Sequence, residues 1–438
     1  MSALPQAFLD RMASRLGEAY PAFLASYDMP YLRGIRFNPL KPCDQLPPGV
    51  EDAVPWEAEG RYLSLGSPAG KLPQHEAGAY YLQEPSAMLP AAILDPKPGE
   101  RVLDLCAAPG GKSTQLGARM GGHGLLVCNE PVFKRAQVLA QNVERMGIVN
   151  ALVVSAMPAQ LAERWQEAFD AIQVDAPCSG EGMFRRHPET REEWSPESPA
   201  GCAKRQADIL DCAARMVRPG GRIVYSTCTL NATENEDTVA AFCDRHPDFT
   251  PHAFHLPGAD APEGMLTCYP HLMRGEGHFT ALLVRAGDAP PAELPRDRSL
   301  RQPDKAQKQA LRDFIPDAPE PTALLGDTLI HLPDCPDLRG LKVLRAGLHL
   351  GEIKGKVFRP DHAWAVSMCP PDLPRIALDE PRALAYLIGE TIPSDGRGWV
   401  LPTFAGLPLG WGKVSDGVMK NHYPKDLRRA LALQAEIL

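Results

Sequence analysis

The stretch RVLDLCAAPGGKSTQL, Arg101 to Leu116, decides the fold. Arg101-Val102-Leu103-Asp104-Leu105 is a short apolar run, the pattern of a buried strand in a parallel sheet. It stops at Ala107-Ala108-Pro109-Gly110-Gly111. Pro109 fixes its own φ, and the two glycines allow close approaches that a Cβ would block. Ser113 or Thr114 then offers a helix start. A strand, a Gly-rich turn and a helix N-terminus make a crevice at the end of a parallel sheet. Free backbone N–H groups in that turn suit a carboxylate, a ribose or a phosphate.

Three ligand chemistries compete for the turn. A phosphate-cradling GxxxxGK[ST] loop would need glycine at position 106, which is Cys106. A dinucleotide fingerprint GxGxxG is absent. An S-adenosylmethionine site fits better. It needs a turn against the amino-acid end of the cofactor and an acid at the end of the next strand for the ribose hydroxyls. Gly124 to Glu130 reads as that strand, with Glu130 20 residues beyond Gly110. A tight strand-to-helix turn with no ligand is the remaining alternative.

Working outward, 438 residues suggest two or three domains, and 44% hydrophobic content is enough for a sizeable core. No apolar run reaches the length of a membrane span, and residues 1–17 lack the pattern of a signal peptide. Eleven scattered cysteines point to a reducing, cytoplasmic setting, and none has zinc spacing. A net charge of -8 argues against indiscriminate coating of nucleic acid but leaves room for a local basic face.

Residues 4–27 carry helical spacing, and 31–41 alternate as a strand with Arg33, Arg36 and Lys41 available. Strands and helices then alternate, which implies a doubly wound α/β sheet. A helix runs between Pro131 and Gly147, and a third strand covers 151–156. A fourth strand covers 169–174 and ends in Asp175-Ala176-Pro177-Cys178. A long helix covers 200–217, and a fifth strand, 222–225, ends in Ser226-Thr227-Cys228. A last strand, 279–285, is expected at the antiparallel edge. Adjacent strand ends in such a sheet open on one crevice, so Asp175, Cys178 and Cys228 face the cofactor turn.

A lone cysteine at a strand end is usually a small buried hydrophobe. Two, framed by Pro, Ser and Thr beside an aspartate, suit covalent activation of a pyrimidine. A thiolate adding to carbon-6 makes carbon-5 nucleophilic toward a methyl sulfonium. An acid near ring N3 assists, and a base must then remove the carbon-5 proton.

These residues resemble the Sun-type RNA cytosine-5 methyltransferases, in particular the bacterial RsmF/YebU-like branch. The matching motifs are Asp104 to Lys112, Asp175 to Arg186, Arg218 to Glu236, Gly275 to Phe279 and Leu409 to Lys425. The resemblance implies Cys228 as the nucleophile, Cys178 as the residue needed for release and Asp175 as the acid at the cytosine edge and near the cofactor. It implies Cys106, Ala107, Ala108, Pro109, Gly110, Gly111, Lys112 and Glu130 as cofactor contacts, with Lys112 also facing the target base. Arg36 and Asn38 resemble an RNA-contacting motif. Ala156-Met157 stands where many members carry a polar residue near the adenine.

The implied architecture is a Rossmann-like methyltransferase sheet (96–288) with an N-terminal RNA-binding extension (1–95). A linker and basic connecting region (289–370) and a PUA-like β domain (371–438) follow. The implied activity is methylation of carbon-5 of cytosine in rRNA, 16S rRNA foremost, by a monomer that needs no metal or membrane. The target base must leave its stack. A tRNA substrate and a catalytically silent assembly factor are the alternatives. His271 and His278 are expected to be structural hydrogen-bonding residues. Residues 296–312 hold six basic against two acidic side chains, and 339–359 six against one. Either stretch is a solvated face or a track for phosphates.

Overall fold

The computed structural model of the protein describes residues 3–295, 300–355 and 357–428. Its centre is a nine-stranded sheet. The strands are β1 (Arg101–Asp104), β2 (Leu125–Asn129), β3 (Ala151–Ser155), β4 (Phe169–Asp175), β5 (Val217–Thr227), β6 (Phe249–Pro251), β7 (Met265–Cys268), β8 (His278–Arg285) and β9 (Lys342–Ala346). Five run parallel in the order β5-β4-β1-β2-β3. The order reverses between β1 and β4. A parallel sheet opens a ligand crevice at such a switch point.

Alternation along the strands explains the layers. Leu103, Val127, Leu152, Ile172 and Ile223 point to one face, under helices Pro158–Arg164, Ser198–Met216 and Glu236–Arg245. Val102, Leu126, Val153, Ala171 and Val224 point to the other, under helices α1 (Gly111–Met120) and α2 (Phe133–Arg145). Both faces are dry, so these strands read as continuous apolar runs.

Several boundaries differ from expectation. Helix α1 begins at Gly111 with Gly110 as its cap, so Ser113 and Thr114 lie inside it. Ser113 Oγ instead donates to the buried Asp104 Oδ2 at 2.6 Å. Strand β5 is longer than read, because the Pro219-Gly220-Gly221 turn is drawn into it. Strand β8 is not an edge, since β6 and β7 pair along its outer side. The expected linker region is folded: residues 342–346 form β9, antiparallel to β3. A second sheet (Ala323–Leu325, Thr328–His331, Leu348–Lys354, Val357–Pro360) completes that region.

The N-terminal part packs helices Gln6–Leu16 and Tyr20–Ala25 through Phe8, Met12 and Phe23 onto Phe184 and Leu230 of the methyltransferase part. A four-stranded sheet follows, in which Arg33–Phe37 pairs with Gly60–Leu63 and Tyr80–Leu82. The C-terminal part is a six-stranded sheet within residues 375–421.

Candidate active site

Four strand ends meet above the switch point. The turn after β1 is fixed by Gly110 at φ 114°, where a Cβ would also stand 3.2 Å from Leu139. Only glycine adopts that conformation cheaply. Strand β2 delivers Glu130, which is buried, with Oε1 accepting from the Val132 N–H at 2.9 Å and Oε2 3.4 Å from Arg135. Strand β4 delivers Asp175, and β5 delivers Ser226 and Cys228.

Asp175 is held on both oxygens. Lys112 Nζ donates to Oδ2 at 2.7 Å and Ser226 Oγ to Oδ1 at 2.8 Å. Burial alone would raise its pKa, but the Lys112 charge and these hydrogen bonds outweigh it and hold the carboxyl below its ordinary range. The free protein therefore carries a carboxylate there, paired with an ammonium.

Cys178 and Cys228 stand with their sulfurs 2.9 Å apart, and the Cys228 N–H donates to Cys178 Sγ at 3.2 Å. The contact with Cys228, with burial second, pushes the Cys178 thiol well up. Cys228 is close enough to Lys112 for a thiolate there to favour the ammonium. Ser179 and Gln206 Nε2 both donate to Glu234, which ties the Cys178 loop to the end of β5.

Two cavities flank the Lys112–Asp175 pair. One, of about 740 Å³, is lined by Cys106, Ala108, Glu130, Val132, Met157, Asp175, Cys178 and Cys228. Its volume suits a cofactor-sized molecule. Val132 and Met157 are 53% and 60% exposed. They are the apolar plates of its mouth; the sequence left Val132 unread and marked Met157 only as standing where a polar residue is usual. The other cavity, of about 330 Å³, is lined by the turn residues Cys106, Ala107, Ala108, Pro109 and Gly111 and by Tyr81, Gln83, Lys112, Asp175, Met183, Arg186 and His187. Of these, Arg186 was legible only as the last residue of a motif.

Two expectations are corrected. Arg36 and Asn38 are not at the surface. Arg36 is 1% exposed, and its guanidinium donates to Gln83 Oε1, Gly111 O and Thr114 Oγ1. Burial lowers its pKa to about 10, still charged at neutral pH. Asn38 Nδ2 donates to the carbonyls of Gly78 and Met146, both at 2.9 Å. Both residues brace the cofactor turn and α2 from the N-terminal sheet and have no surface left for RNA. The second correction concerns His271 and His278: neither ring has a hydrogen-bond partner among the described residues. His271 packs edge-on against Phe23 at 5.7 Å, and His278 is buried beside Lys112 and Asp175.

Comparison with known proteins adds a second line. Residues 91–284 match the family model for the 16S rRNA methyltransferase RsmB/F. Residues 4–85 match the N-terminal domain of RsmF, 308–368 its first C-terminal domain and 373–429 its PUA domain. Ribosomal RNA small subunit methyltransferase F of Salmonella paratyphi A is 34% identical over 97% of this chain and 96% of the relative. The chain belongs to the RsmB/F family of rRNA methyltransferases. The Salmonella agona relative gives the same identity and coverage. Among solved structures, a methyltransferase homolog from Pyrococcus horikoshii is 27% identical with a TM-score of 0.54, covering 64% of this chain and 95% of that one. NSun6 from the same organism, solved with SFG, shares the fold at a TM-score of 0.57 and 19% identity, covering 65% and 99%. As a family member the protein is an S-adenosylmethionine-dependent RNA methyltransferase with a C-terminal PUA domain. Among the described residues no helix is long and apolar enough to cross a membrane, and no group of three or more His, Cys, Asp or Glu is placed to hold a metal ion.

Proposed function

We propose that the protein methylates carbon-5 of cytosine in 16S rRNA through a covalent adduct on Cys228. The observation that carries this reading is the 2.9 Å pairing of Cys228 with Cys178 beside the Lys112–Asp175 ion pair, at the wall of the larger cavity. Methylation of an amine or hydroxyl needs no sulfur nucleophile, whereas carbon-5 does.

The residues divide the work. Cys178 is held protonated, so its S–H is the donor toward Cys228, and Lys112 supplies a nearby positive charge. This leaves Cys228 as the sulfur placed to attack. Cys228 adds to carbon-6, and Asp175 accepts from the exocyclic amino group at the cytosine edge. Lys112 balances the charge that addition pushes onto the ring. When bound, S-adenosylmethionine supplies the electrophilic methyl group. Glu130 takes the ribose hydroxyls, the 106–111 turn takes the methionine end, and Val132 and Met157 give the adenine apolar contact. Cys178 acts after methyl transfer: with Cys228 bonded to carbon-6 its own proton is released to solvent, its sulfur takes the carbon-5 proton, and the Cys228–carbon-6 bond breaks to free the methylated base and restore the thiolate. The chain divides at 1–95, 96–288, 289–370 and 371–438, with residues 342–346 of the third part completing the catalytic sheet and the outer parts presenting the rRNA.

The test is a denaturing gel of 16S rRNA incubated with protein and S-adenosylmethionine. Cys178→Ala should accumulate a denaturant-resistant protein–RNA band, and Cys228→Ala and the double variant should give none. A band for Cys228→Ala instead reverses the two roles. Full turnover by both single variants removes the covalent mechanism. Bisulfite sequencing of rRNA from a deletion strain then identifies the cytosine.

A further inference from the structure

The motif Asp175 to Arg186 ends in two arginines whose fates are opposite. Arg185 is consumed by the fold. Its Nε and Nη2 engage both oxygens of the fully buried Glu276 at 2.9 and 2.8 Å, and it also donates to the carbonyls of Ser26 and Gly275. Arg186 makes no hydrogen bond and no ion pair among the described residues. Its Nη1 is buried with no partner. Its one directed contact is with the Tyr31 ring, whose centroid lies 5.7 Å from Cζ. A guanidinium with neither hydrogen bond nor ion pair keeps donors for a ligand at the cavity that it lines.

The place of this arginine says which ligand. Arg186 lines the 330 Å³ cavity with His187, and this cavity adjoins the larger one through Cys106, Ala108 and Asp175, which line both. The nucleobase edge is read at Asp175, so a nucleotide entering by this cavity carries its sugar and phosphate toward the rim. Arginine matches a phosphate with two parallel N–H donors, and an aromatic face beneath the guanidinium fixes its plane. Tyr31 is 38% exposed, and it comes from the N-terminal part rather than from the methyltransferase sheet.

We propose that Arg186, beside the Tyr31 ring, binds a backbone phosphate of the target nucleotide and so positions the extruded base over Cys228. This rests on the cytosine-5 reading above and deepens it. The positive charge that meets RNA at the catalytic mouth is then Arg186, in place of the buried Arg36.

The probe is a 16S rRNA transcript made with 5-fluorocytidine, which cannot lose a carbon-5 proton and so traps the adduct. The protein is the full chain with S-adenosylmethionine. Arg186→Ala should raise the RNA concentration giving half-maximal adduct formation by about tenfold. It should also flatten the dependence of log affinity on log salt by about 0.7, the loss of one phosphate contact on a single strand. Arg186→Lys should recover part of the affinity and Tyr31→Phe nearly all of it, whereas Tyr31→Ala should behave like a weaker Arg186→Ala. Cofactor affinity, measured by calorimetry, should stay within about twofold. Wild-type protein that forms no adduct overturns the cytosine-5 reading itself. Wild-type adduct together with an unshifted half-saturation and salt slope for Arg186→Ala overturns the phosphate assignment alone. A loss of cofactor affinity in Arg186→Ala overturns it too, by placing the arginine on the methionine carboxylate. If Arg186→Ala does not fold, the Tyr31→Ala and Tyr31→Phe pair decides by the same readouts.

Discussion

Glu130 is placed, at the scale of single atoms, to hold a turn and to face a cavity. Its Oε1 is engaged by the Val132 N–H, which turns the chain into α2, while among the described residues Oε2 meets only Arg135, at 3.4 Å. The carboxylate therefore keeps acceptor capacity facing the cavity it lines. Charge-assisted hydrogen bonds contribute about 1.5–3 kcal/mol each, so Glu130→Ala should weaken S-adenosylmethionine binding by at least about tenfold. Glu130→Gln keeps one acceptor and the turn, so its loss should be smaller. Calorimetry on both variants checks this, and unchanged affinity in Glu130→Ala would remove the ribose assignment. The position of Glu130 was legible from sequence, because the end of the second strand lies beside the turn after β1 in such a sheet. Arg36 was misread for the converse reason. A basic residue in an alternating strand looks solvent-facing until the partner that buries it is known, and here the partners are Gln83, Gly111 and Thr114. The motif carried the cysteine pair with no such ambiguity, because strand-end position alone places both sulfurs at the crevice.

Strand β9 shows at the scale of elements where sequence reading stops. Lys342-Val343-Leu344-Arg345-Ala346 is five residues with two cations, and nothing local names β3 as its partner. The same composition that suggested a phosphate track hides an internal use. Arg345 is buried, with Nη1 2.6 Å from Glu144 Oε2 on α2, and His362 Nδ1 lies 2.8 Å from the other oxygen. Other cations of the basic stretches are also engaged: Lys354 with Glu352, Lys308 and Arg312 with Glu320, Arg301 with Asp327. A deletion of residues 296–438 would therefore strip an edge strand from the catalytic sheet, and it would not isolate RNA binding. Arg345→Met is the sharper experiment. It leaves the Glu144 carboxylate buried with only His362 to compensate it, a loss of about 3 kcal/mol on the scale of broken buried pairs. Its urea midpoint should fall well below the wild type. Adding Glu144→Gln should restore part of the loss, because the stranded charge is then gone. A midpoint equal to wild type would mean that β9 is held by its backbone pairing alone.

The whole molecule is joined at Lys41, where three parts meet. Its Nζ donates to Val366 O at 2.6 Å and to Arg145 O at 3.1 Å, so one side chain of the N-terminal part bridges α2 and the region after β9. Burial, with the nearby Arg145 charge second, lowers its pKa to about 7. An unfolded lysine titrates near 10.4. Between about pH 7 and pH 10 the folded chain therefore holds a neutral amine while the unfolded chain holds an ammonium. The unfolded state binds more protons there, so this residue's contribution to stability rises with pH. Below about pH 7 both states are charged, and the folded state bears the full cost of burying the ammonium. Lys41→Met deletes the titration and leaves two buried carbonyls unpaired, at about 1–3 kcal/mol. Subtracting the variant's urea midpoint from the wild type's cancels every other titrating group. That difference should be small and flat below about pH 7 and should grow in favour of the wild type toward pH 9. A difference that is constant from pH 6 to pH 9 would mean that Lys41 keeps its proton in the folded chain, and that the joint is an ionic contact rather than a pair of neutral hydrogen bonds.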